Sequence, residues 1–93
     1  MSLSRRELLS GGDPAKSCHI ASMVVQCLPE KLAATATALE TLPGIQVPER
    51  DERGKLVVLI EVRGEAALME SITEIEHTPG VISANLVYHQ IDD

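Results

Sequence analysis

The chain repeats itself at an interval of 36 residues. Leu32, Ala36 and Leu39 recur as Leu68, Ile72 and Ile75, each trio at the i, i+4, i+7 spacing of one apolar helix face. Both trios run into the same stop, Leu42-Pro43-Gly44-Ile45 in the first copy and Thr78-Pro79-Gly80-Val81 in the second. An apolar, strand-like run precedes each helix, at Ile20 to Cys27 and at Leu56 to Val62. Two β-α-β halves in tandem predict an α+β domain of the split βαβ, or ferredoxin-like, kind. Its order is β-α-β-β-α-β, with an antiparallel four-stranded sheet and two helices on one face. The other face stays bare, and a chain this small has to act from it.

Ninety-three residues make one small domain. Tyr88 is the only aromatic, so the core is aliphatic and no stacking platform for single-stranded nucleic acid exists. A net charge of −6 repels a phosphate backbone and favours a basic partner. Cys18 and Cys27 bracket the first strand, which holds them roughly 30 Å apart at about 3.3 Å per residue. They cannot pair, and no CxxC is present for metal or redox chemistry. No run reaches the ~18 apolar residues that span a membrane. The expectation is a soluble cytoplasmic protein without cofactor or metal, with no nucleic-acid or membrane partner, as a monomer or weak homodimer.

Residues 1–17 lack periodic apolar pattern and are expected to be a disordered leader. Within them Ser4-Arg5-Arg6-Glu7-Leu8-Leu9 matches the core of a twin-arginine export signal. Such a signal needs an apolar segment of ~7–15 residues after the arginines, whereas Ser10-Gly11-Gly12-Asp13-Pro14 follows here. It does not read as a working signal peptide.

The folded domain is expected over residues 18–90. Its first helix begins at Pro29, which suits a first helical turn, and stops before Pro43. Ile45 to Val47 start an edge strand bearing Pro48, and Glu49 to Gly54 form a charged turn. Leu56 to Val62 follow as a central strand, Glu65 to His77 as the second helix and Val81 to Tyr88 as the last strand. Residues 91–93 are expected to fray. Glu61 cannot sit in an apolar layer without a partner, so Val57, Leu59 and Glu61 face outward. By the same alternation Ser83, Asn85 and Val87 face outward from the last strand. In the first strand Gln26 selects Ile20, Ser22 and Val24 for that face. The predicted site is thus Ile20, Ser22, Val24, Val57, Leu59, Glu61, Ser83, Asn85 and Val87. An apolar patch with acidic accents on a soluble chain calls for a partner, and an amphipathic basic peptide fits it.

Catalytic constellations are absent from the sequence. His19, His77 and His89 form no HxH or HExxH, Ser22 has no base beside it, and Glu70 and Glu74 sit on a solvated helix face. An enzyme is not expected. The segments Ile20-Ala21-Ser22-Met23-Val24-Val25-Gln26, Leu42-Pro43-Gly44-Ile45-Gln46-Val47 and Gly54-Lys55-Leu56-Val57-Val58 resemble the NapD family, as does the stretch from Gly80-Val81 through Leu86-Val87-Tyr88-His89-Gln90. The resemblance covers residues 18 to 90. It implies a cytoplasmic chaperone that binds the twin-arginine signal peptide of the periplasmic nitrate reductase catalytic subunit and delays export until its molybdenum cofactor is in place. An ACT-like regulatory domain shares the βαβ tandem but normally accompanies an enzyme or DNA-binding partner. A ferredoxin-like metal carrier would need a CxxC where Cys27-Leu28-Pro29-Glu30 stands, and a structural subunit would associate through its edge strands. The Arg5-Arg6 pair is the departure from the family pattern. If it mimics the client, deleting Met1 to Ser17 is expected to tighten peptide binding in a calorimetric titration, and an unchanged affinity would exclude the mimicry.

Overall fold

The computed structural model describes residues 17–92. The leader at residues 1–16, with its Arg5-Arg6 pair, and Asp93 lie outside the described residues. Four strands and two helices follow in the order β1 (Cys18–Cys27), α1 (Leu32–Glu40), β2 (Ile45–Asp51), β3 (Lys55–Arg63), α2 (Glu65–Glu76) and β4 (Val81–Asp92). The strands form one antiparallel sheet in the order β2-β3-β1-β4, so β1 and β3 are central. Both helices lie on the same face, and the fold is the ferredoxin-like one that the 36-residue repeat predicts.

The repeat works because each copy contributes the same apolar wedge. Ala36 and Leu39 of α1, and Leu68 and Ile75 of α2, are buried against Ala21, Met23, Val25, Leu56, Val58 and Ile60 of the central strands. Leu32 and Ile72, the remaining members of the two trios, pack against the same cluster. The copies differ in their first turn. Pro29–Lys31 forms a 3-10 turn ahead of α1, whereas the corresponding residues of the second copy are α-helical from Glu65. The strands obey their polar members rather than the repeat: Ile20 lies on the bare face although Leu56, 36 residues on, is buried.

Two glycines fix the corners beside the sheet. Gly44 (φ 75°) and Gly54 (φ 96°) adopt the left-handed conformation that only glycine enters without strain. A Cβ on Gly44 would strike the carbonyl oxygen of Glu61, and one on Gly54 that of Cys27. Both glycine carbonyls are used, because Gly54 accepts the Cys27 N–H at 2.7 Å and Gly44 accepts the Glu61 N–H at 2.8 Å.

Two strand ends and one internal strand position differ from the expectation. β2 runs on to Asp51 through a register shift that sets Val47 and Pro48 opposite Val58. This is a bulge, which removes Pro48 from the ladder it cannot donate to, and the turn shrinks to residues 52–54. β4 continues beyond Tyr88 to Asp92, although the tail from residue 91 was expected to fray. Ile91 pairs with His19 and Asp92 with Cys18, so the long central β1 gives the end of β4 a template.

The third difference concerns Val87. β4 shifts register between the pairs Met23–Leu86 and Ser22–Tyr88, which leaves Val87 without a β1 partner. Strict alternation therefore breaks there: Ser83 and Asn85 stand opposite Gln26 and Val24 on the bare face, but the next bare-face residue is Tyr88 rather than Val87.

Candidate functional site

Cross-strand partners share a face, so the register lays out the bare face in rows. Glu61, Ile20 and Gln90 form one row; Gln46, Leu59, Ser22 and Tyr88 the next; then Glu49, Val57, Val24 and Asn85; then Asp51, Lys55, Gln26 and Ser83. Eight of the nine residues expected on this face are in these rows, and Val87 is the one that is not. Ile20, Val24, Val57 and Leu59 make a continuous, half-buried apolar strip along the two central strands. No helix among the described residues covers it, since α1 and α2 pack on the opposite face.

Carboxylates border the strip, and they are not equivalent. Asp51 accepts two hydrogen bonds from the Arg53 side chain, at 3.2 and 3.0 Å, and one from its backbone N–H at 2.9 Å. These contacts hold its pKa at about 2, so its charge is already compensated. Glu61 and Glu49 have no ion-pair partner among the described residues. Glu61 is exposed and adjoins a depression of about 240 Å³ whose walls include Ile20, Gly44, Gln46 and Leu59. The shape suits a side chain with an apolar stem and a charged, planar head.

Sequence reasoning missed Gln46, Glu49 and Tyr88. Gln46 lies between Ile45 and Val47 in the expected edge strand and follows from their alternation, whereas Glu49 follows only once β2 continues beyond Pro48, which makes the charged stretch a strand edge rather than a turn. Tyr88 reaches the face only through the bulge at Val87, and nothing in the local pattern announces a bulge.

The profile of one protein family, described as NapD protein, matches residues 18–93. The chain belongs to the NapD family. Its curated relatives include Chaperone NapD of Haemophilus influenzae, 35% identical over 80 residues that cover 85% of this chain and 86% of that protein. Chaperone NapD of Escherichia coli K12 is 32% identical over 76 residues, covering 81% and 87%. Chaperone NapD of Paracoccus pantotrophus is 32% identical over 95 residues, covering 96% of this chain and 84% of its own length. Among solved structures, the solution structure of the E. coli Tat proofreading chaperone protein NapD superposes with a TM-score of 0.75 at 31% identity, over 82% of this chain and 81% of that one.

Beyond the bare face, this NapD-family chain has one part-buried polar contact of note. Nδ1 of His19 and Nε2 of His89 are 2.9 Å apart, and the rings stack at a centroid distance of 5.2 Å. His19 is 4% exposed on the helix side of β1. Its sequence neighbour offers no hint of this partner, which lies 70 residues away. The contact ties β4 to β1 beyond the bulge. Tyr88, next to His89, instead donates its hydroxyl hydrogen to Oε1 of Gln90 on the bare face. Among the described residues, no group of three or more His, Cys, Asp or Glu side chains is arranged to hold a metal ion. Cys18 and Cys27 are free thiols at the two ends of β1. No helix among the described residues is long and apolar enough to cross a membrane.

Proposed function

We propose that this protein is a cytoplasmic, non-enzymatic chaperone that binds the twin-arginine signal peptide of the periplasmic nitrate reductase catalytic subunit on its bare sheet face. Holding the peptide delays export until cofactor insertion is complete. The observation that carries this reading is the strip of Ile20, Val24, Val57 and Leu59, which no other described element covers, bordered by the carboxylates Glu61 and Glu49, which have no ion-pair partner among the described residues, in a chain of the NapD family. A twin-arginine signal peptide has the complementary make-up, a basic head followed by an apolar segment. Arginine's fork of donors matches a carboxylate in two parallel hydrogen bonds. One charge-assisted contact is worth ~1.5–3 kcal/mol, while nanomolar binding requires about −12 kcal/mol. The arginines therefore set specificity and apolar contact supplies most of the affinity.

Calorimetric titration with a twin-arginine peptide, and with a variant whose two arginines are lysines, tests this directly. Tight binding that weakens on the change to lysine is the expected result. Failure to bind either peptide removes the proposal.

A further inference from the structure

The bare face has two chemically different sides. Toward β2 and β3 it carries Glu61, Glu49 and the Arg53-paired Asp51 against the single cation Lys55, together with the depression beside Glu61. Toward β4 it carries no formal charge until Asp92, because Val81 to Ile91 contain no Asp, Glu, Lys or Arg. β4 is also where apolar surface is left over. Of the seven large hydrophobic residues exposed among the described residues, five are on it: Tyr88 on the bare face, Ile82 and Val87 at the register shifts without a β1 partner, and Leu86 and Ile91 opposite Met23 and His19 on the helix face. The two sheet edges are treated differently as well. β2 is interrupted by Pro48 and lined with Glu49, Arg50 and Asp51, the usual protections of an edge strand. β4 has register shifts but neither proline nor charge along Val81 to Ile91.

We propose that a bound twin-arginine peptide crosses the sheet in one direction, with an arginine at Glu61 and the apolar segment that follows it lying along the β4 edge, over Tyr88 on the bare face and against the exposed edge residues Val87 and Ile82, which have no β1 partner. The inference rests on the signal-peptide reading above and adds the orientation and the second half of the site. From β3 across β1 to β4 is two inter-strand spacings, about 10 Å. A connecting stretch of about three extended residues, or six to seven helical ones, covers that distance. From Tyr88 back to Ile82 is about 20 Å of strand. An apolar segment of ~7–15 residues spans roughly 10–22 Å as a helix, which matches that length. Charge fixes the direction: the basic head gains at the β2-β3 side, and the uncharged segment loses nothing at β4.

Nitroxide labels on a synthetic peptide, two consecutive arginines followed by an uncharged apolar segment, test the orientation by amide NMR of the whole chain. A label at the peptide's N-terminus is expected to broaden Gln46 and residues 59–61. A label at the far end of the apolar segment is expected to broaden residues 82–88. Binding with the two patterns exchanged, or with both labels broadening both regions equally, overturns the orientation and leaves the chaperone reading standing. Absence of binding overturns both. A second measurement uses Val87→Glu, at a side chain 61% exposed and so tolerated by the fold. It is expected to weaken the arginine peptide and its lysine variant alike by at least tenfold, leaving their ratio unchanged. If it instead leaves peptide affinity intact and converts a dimer to a monomer in sedimentation, the edge serves a second copy of the chain and the proposal fails.

Discussion

Gly54→Ala is expected to destabilise the domain by roughly 3–4 kcal/mol, although it adds a single methyl group. Two costs combine. An alanine held at the φ of 96° that Gly54 adopts is penalised by ~1–2 kcal/mol. The new Cβ also strikes the Cys27 carbonyl oxygen, so the turn must move away from the end of β1. That movement breaks the 2.7 Å bond from the Cys27 N–H to the Gly54 carbonyl, and Cys27 is fully buried. Leaving such a donor unmet costs ~1–3 kcal/mol. Against a total stability of about 5–15 kcal/mol, the loss is large. Urea denaturation checks it: the midpoint should fall with little change in slope, while Glu52→Ala, exposed in the same turn, should leave it in place. A midpoint equal to that of the parent would show that the turn absorbs the methyl group without strain.

Glu61→Gln is expected to act on binding and not on folding. The side chain is exposed and has no ion-pair partner among the described residues, so the thermal midpoint should hardly move. Under the proposed function the same change removes the carboxylate that meets an arginine. A charge-assisted hydrogen bond is worth ~1.5–3 kcal/mol, which corresponds to a loss of about tenfold or more in affinity. The arginine peptide should suffer more than its lysine variant, because only arginine makes the paired, planar contact. Calorimetry of both peptides on both proteins gives the comparison. Equal losses for the two peptides would assign Glu61 a general electrostatic role instead of arginine recognition.

How much of this was legible beforehand depended on whether a feature is local and periodic. The trios at Leu32, Ala36, Leu39 and at Leu68, Ile72, Ile75 announce the helices and, by their repetition, the fold. Glu61 and Gln26 settle which way their strands face, since a lone carboxylate or amide selects the wetter side. The register confirms that choice, with Glu61 opposite Ile20 and Gln26 opposite Lys55. Features made by insertion were not legible. The bulge at Val47 and Pro48 lets β2 reach Asp51, and the shift at Val87 exchanges it with Tyr88 on the bare face. One extra residue in a strand reverses every side chain beyond it, yet no residue type is reserved for that position. The contact between His19 and His89 was hidden for a different reason: it exists only because β4 is drawn out along the whole of β1.

The central place of β1 has a consequence for the order in which the molecule is made. One side of β1 pairs with β3, which follows within the first 63 residues, but its other side pairs with residues 81–92. Until those have been synthesised, an entire row of β1 backbone groups remains open to water and to any other strand that comes near. Contacts this distant in sequence close slowly, and unpaired strand edges are where nascent chains go astray. The early half of this protein therefore waits, incomplete, for its final strand.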